Sequence, residues 1–166
     1  MKKNTLVLTL LFFSLFSHSL LATELKLFAK HTYQQLLSDY HEQAFILVLW
    51  SVDCPPCYDE LTLLGKYLSH YPDRKMIFVA TDSRQYENEI KKMLTTTLLE
   101  DQSIYIFSDV PEQHLRYAID PHWYGELPRS YLFDACHNRN AVSGKMTREM
   151  LDDFYVSTSL KHEKCQ

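Results

Sequence analysis

Cys54-Pro55-Pro56-Cys57 is the segment of this chain whose residue types and spacing point most directly to chemistry. Two cysteines separated by two residues can close a small disulfide and reopen it by thiol–disulfide exchange. The pair follows the apolar run Ala44–Trp50 and precedes a helical pattern in which Cys57, Leu61, Leu64 and Leu68 share one face. A strand end followed by a helix start puts the first sulfur at a helix N-terminus. There, unpaired N–H groups and the macrodipole favour a thiolate. Pro55 and Pro56 donate no N–H, and their fixed φ suits a first helical turn. Cys54 is therefore expected to be the nucleophile and Cys57 the resolving thiol.

Other uses of the cysteines fit less well. A zinc site needs further ligands; Cys136-His137 is the only candidate pair, and adjacent residues rarely both ligate. Covalent haem attachment needs a His after the second Cys, where this chain has Tyr58. No metal or other cofactor is expected. A purely structural Cys54–Cys57 bridge would restrain little of the unfolded chain, because its loop is so short. Cys136 and Cys165 are expected to form a structural disulfide that ties down the tail. Closing a loop of about 30 residues is worth roughly 3–4 kcal/mol in the chain-entropy model. A second redox pair or free thiols are the alternatives.

The elements that must hold the pair are legible from periodicity. Ala44–Trp50, Met76–Ala80, Ile104–Phe107 and Arg129–Phe133 read as strands, with a weaker one at Ala141–Ser143. Between them lie helical patterns at Thr32–Tyr40, from Pro55 to near Tyr71, at Arg84–Leu99, from Pro111 to Ile119 and at Thr147–Thr158. In the third of these, Ile90, Met93, Leu94 and Leu98 are expected to face inward. Strands alternating with helices indicate an α/β domain around a central, largely parallel sheet.

Composition sets the outer limits. At 166 residues with 46% hydrophobic and 23% charged, the chain suits one packed domain and neither a disordered nor a multispan membrane protein. A formal charge of −4 and no basic run argue against nucleic acid as a partner. Met1-Lys2-Lys3, the apolar run Leu6–Phe16 and the small residues up to Ala22 follow the order of a secretory signal peptide. The expected organisation is a signal peptide over 1–22, cut after Ala22 or after Ser19, and one domain over 23–166. An uncleaved membrane anchor is the other reading. Export would carry all four cysteines into a compartment where disulfides persist.

The segment Leu49-Trp50-Ser51-Val52-Asp53-Cys54-Pro55-Pro56-Cys57-Tyr58-Asp59-Glu60-Leu61 resembles the active-site segment of exported thioredoxin-like proteins of the TlpA/ResA type. Trp50 matches their Trp four residues before the first Cys, and Glu60 their Glu three after the second. Gly125-Glu126-Leu127-Pro128-Arg129-Ser130-Tyr131-Leu132-Phe133-Asp134 is similar to their second motif, a cis-proline before a strand. The resemblance covers roughly residues 32–154. It implies a thioredoxin fold with a mixed central sheet flanked by helices, and a cis Leu127–Pro128 bond packed against the sulfurs. It implies disulfide exchange with exported proteins in the periplasm, cytochrome c maturation among the settings, with re-reduction by a membrane thiol–disulfide electron donor. Backbone groups beside Pro128 and Leu127 would pair with an extended substrate chain.

This chain also departs from that pattern. Asp53 replaces the Trp before the first Cys, and Val48 stands where thioredoxins carry a buried Asp. Glu60, one turn beyond Cys57, is the nearest substitute for that acid–base group, or else an ordinary exposed helical Glu. Trp50 and Tyr58, with Pro55 and Pro56, are read as an apolar substrate rim or, for the two aromatics, as core. With two prolines between the cysteines and Asp53 beside them, nothing in the motif stabilises the thiolate by charge, which favours the reductase direction. The rival is a thioredoxin-fold binding or chaperone-like module with a non-catalytic CxxC.

Overall fold

The computed structural model describes residues 24–160. The expected signal segment 1–22 and Cys165 lie outside them. In chain order the elements are β1 (Lys26–Phe28), α1 (Thr32–Asp39), β2 (Phe45–Trp50), α2 (Pro55–His70) and β3 (Met76–Ala80). A 3-10 turn (Arg84–Tyr86) leads into α3 (Glu87–Thr96), followed by β4 (Ser103–Phe107) and α4 (Glu112–Ile119). β5 (Arg129–Phe133), β6 (Arg139–Ser143) and α5 (Arg148–Leu160) complete the series.

The strands form one sheet in the order β1-β4-β3-β2-β5-β6. β1, β4, β3 and β2 run parallel, whereas β2–β5 and β5–β6 are antiparallel. The sheet is thus mixed. β2 sits between β3 and β5, and all of its residues are buried. That burial on both faces is why its sequence is a continuous apolar run rather than an alternating one. Ile46, Val48 and Trp50 pack on one face with α2, α3 and α5 through Leu61, Leu64, Ile90, Leu94 and Leu151. Phe45, Leu47 and Leu49 pack on the other face with α1 and α4 through Leu36, Leu115 and Ile119. Among the described residues, no helix is long and apolar enough to cross a membrane.

One inward residue is corrected. α3 stops at Thr96, and Leu98 has φ +62° and is 58% exposed. The Leu99 N–H then closes on the Leu94 carbonyl at 2.8 Å, and Leu99 is the buried residue. A run of β-branched Thr95-Thr96-Thr97 favours ending the helix there. Directly opposite, α2 passes so close that a Cβ on Gly65 would lie 1.7 Å from the Thr97 carbonyl oxygen.

Candidate active site

Cys54 and Cys57 form a disulfide, with Cα atoms 5.3 Å apart, where β2 gives way to α2. Cys54 is the N-cap residue of α2, and Pro55 and Pro56 occupy the first helical positions, both exposed. The Cys57 N–H turns back to the Cys54 carbonyl at 3.0 Å. Two of the first-turn N–H groups are therefore missing and a third is occupied, so the helix offers the Cys54 sulfur its macrodipole and few direct donors. Cys54 is partly exposed, whereas Cys57 is fully buried in the core cluster that holds Trp50 and Val48. An incoming sulfur can reach only the first cysteine.

Trp50 does not belong to a substrate rim. As the last residue of β2 it pairs in register with Ala80 of β3 and is fully buried, in the same core cluster as Cys57. Tyr58, by contrast, is 43% exposed.

Glu60 is not an exposed helical carboxylate. It is 1% exposed, and its Oε1 accepts the Met146 backbone N–H at 3.0 Å. Its Oε2 is buried without a hydrogen-bond partner among the described residues. Burial pushes its pKa up to about 7, against the lowering effects of the Met146 N–H and the Lys145 charge. Next to it Asp59 pairs with Lys145 at 2.9 Å, so adjacent carboxylates of α2 hold the loop that leads from β6 to α5. A carboxyl that titrates near neutrality thus sits one helical turn from the buried sulfur.

The Leu127–Pro128 bond is cis, and Pro128 is buried. Leu127 is half-buried against the cluster that contains Cys57. The Pro128 carbonyl accepts the Gly144 N–H at 2.9 Å, which ties the cis-proline loop to the chain just past β6. Below this loop, buried Asp120 binds Arg129 (3.3 Å), Arg139 (3.3 Å) and the Tyr131 hydroxyl (3.0 Å). Burial alone would raise the Asp120 pKa, but the His122 N–H, the Tyr131 hydroxyl and both guanidinium groups hold it below the usual range.

The sequence reading missed Asp82. It lies just past β3, and Oδ1 accepts the Ser51 hydroxyl at 2.8 Å while Oδ2 accepts the Val52 N–H at 3.2 Å. The loop that delivers Cys54 is therefore anchored to the neighbouring strand. Burial raises the Asp82 carboxyl above its ordinary value, with the nearby Asp53 charge adding to the effect. An acidic residue two positions after the strand adjacent to the CxxC strand was the available signal. Asp53 itself is exposed, its N–H donates to the Ser51 hydroxyl at 3.1 Å, and the start of α2 carries no side-chain cap. Cys136 is disulfide-bonded, and its expected partner Cys165 lies outside the described residues.

A CxxC disulfide at the β2–α2 junction, with a cis-proline immediately before β5, the strand paired with β2 in a mixed sheet, defines a thioredoxin fold. No family model and no curated protein matches the sequence. Solved structures share its fold. A secreted Mycobacterium tuberculosis disulfide oxidoreductase, homologous to E. coli DsbE, superposes with a TM-score of 0.58 at 14% identity, covering 72% of this chain and 85% of that one. The thiol:disulfide interchange protein of Chlorobium tepidum TLS gives 0.59 at 18% identity, covering 74% and 83%. StoA from Bacillus subtilis gives 0.50 at 22% identity, covering 69% and 84%. At such identities the likeness establishes the fold, which is that of thioredoxin-like thiol-disulfide oxidoreductases.

Proposed function

We propose that the protein is an exported thiol-disulfide oxidoreductase that reduces disulfides of other exported proteins. The observation that carries this reading is the unequal placement of the two sulfurs, one reachable at a helix N-terminus and one buried behind it. In the reduced protein the Cys54 thiolate attacks a substrate disulfide, forming a mixed disulfide and expelling the substrate's other sulfur as a thiolate. Cys57, once deprotonated, attacks the Cys54 sulfur. The second substrate thiol leaves, and the Cys54–Cys57 disulfide is restored. Glu60 is the group placed to accept the Cys57 proton, since a carboxyl with a pKa of about 7 exchanges protons readily at neutral pH. A membrane thiol–disulfide donor then reduces the pair, its own thiols being oxidised.

The reducing direction is supported by the poor stabilisation of the thiolate: two prolines remove first-turn donors, and Asp53 is the adjacent charge. Export is supported by the order of basic, apolar and small residues in 1–22. The secreted character of the mycobacterial neighbour agrees with it. The cis-Pro128 loop, with Leu127, is the second wall of the substrate site, and Cys136–Cys165 is the bridge that restrains the tail. Insulin reduction with dithiothreitol tests the reading. Acceleration should require Cys54 and vanish in Cys54→Ser, whereas precipitation no faster than with dithiothreitol alone would leave a binding module.

A further inference from the structure

β3 and β5 flank β2 on opposite sides, so the CxxC loop meets the cis-proline loop on one side and the β3–α3 connection on the other. On the α3 side an open groove of about 410 Å³ begins directly at Val52 and Asp53, the residues before Cys54. Val52, Tyr58, Tyr86 and Met93 supply its apolar walls. Its charged lining consists of Asp53 and Glu89 against Lys92, a surplus of one carboxylate. Tyr58 lies one residue beyond Cys57 and leaves a large part of its ring to solvent, although the core beneath α2 is closed.

We infer that this groove is a substrate subsite: it receives an apolar side chain of the substrate polypeptide, flanked by a basic residue and close in sequence to the cysteine that Cys54 attacks. The inference rests on the proposed oxidoreductase activity. A chain held by a sulfur–sulfur bond to Cys54 must leave that sulfur across its neighbours, and on this side the neighbouring surface is the groove. Its volume is at the small end of the range for ligand sites, suited to a side chain and too shallow for a folded element. The carboxylate surplus selects against acidic segments and against small anionic disulfides such as oxidised glutathione.

The test uses two short peptides, each closed by one internal disulfide and differing only beside the reacting cysteine: Phe-Lys in one, Ser-Glu in the other. The reduced protein, itself oxidised to the Cys54–Cys57 disulfide as it reduces one peptide, should react with the Phe-Lys peptide with a second-order rate constant about tenfold higher or more. Glu89→Lys reverses a charge at an exposed position of α3 and should narrow that preference several-fold, less so at high salt. Thr96→Trp, also exposed on α3, fills the groove and should reduce the advantage of Phe. Equal turnover of the two peptides by the unmodified protein would overturn the groove and leave the oxidoreductase reading standing. Turnover of neither peptide would overturn both.

Discussion

Replacing Glu60 by Gln should change how stability depends on pH. Gln keeps the size of the side chain and an oxygen to accept the Met146 N–H, but it cannot ionise. In the folded protein the Glu60 carboxyl titrates at about 7, against 4.5 as its ordinary value. Between those values the folded chain holds a proton that the unfolded chain has lost, so stability falls as pH rises through the window. Above pH 7 the whole penalty is present, about 3 kcal/mol from a shift of this size. Urea unfolding of the oxidised protein at pH 4.5 and pH 8 reads it without interference from thiol titration. Wild type should lose about 3 kcal/mol more than Glu60→Gln over that range, a relative midpoint change on the order of 1 M urea. At pH 8 the variant should be the more stable protein. Parallel pH dependences for the two proteins would show that Glu60 is an ordinary carboxylate and would remove it as the proton acceptor for Cys57.

Asp53→Asn should let the reduced Cys54 thiolate form at lower pH, read by thiolate absorbance, and make the reduction potential less negative by roughly 10–30 mV. No change in either would remove the electrostatic argument for a reductase. Asp82→Ala should free the Ser51-Val52 loop, costing about 1–3 kcal/mol, with faster amide hydrogen exchange at Val52 as the local sign. Gly65→Ala should destabilise by about 1–3 kcal/mol in thermal melts, because the added methyl meets backbone rather than a movable side chain. Mass spectrometry of unreduced protein should find Cys136 linked to Cys165. Replacing both by Ser should lower the melting temperature and leave insulin reduction largely intact.

The parts of the fold legible in the sequence are those decided by local burial. β2 and β3 are continuous apolar runs because they lie inside the sheet, and the positions of Cys54 and Cys57 follow from where β2 ends. β1 escaped because it is three residues long at the sheet edge, with Lys26 and Leu27 exposed. The end of α3 was misplaced because Leu98 and Leu99 are equally apolar, and only the turn after Thr96 decides which one enters the core. Trp50 could be read as rim or core, since its burial depends on strands and helices from other parts of the chain. Glu60 and Asp82 are long-range cases. Their partners stand 86 and about 30 residues away, so no local pattern could separate a buried, hydrogen-bonded carboxylate from a solvated one.

The central claim is that one sulfur attacks and the other resolves. Mixing reduced Cys57→Ser with a peptide disulfide and identifying the adduct by mass spectrometry tests it most directly. The account predicts a stable mixed disulfide on Cys54, and little or none on Cys57 when Cys54→Ser is treated alike. Adducts forming at equal rates on either remaining cysteine, or on neither, would contradict it.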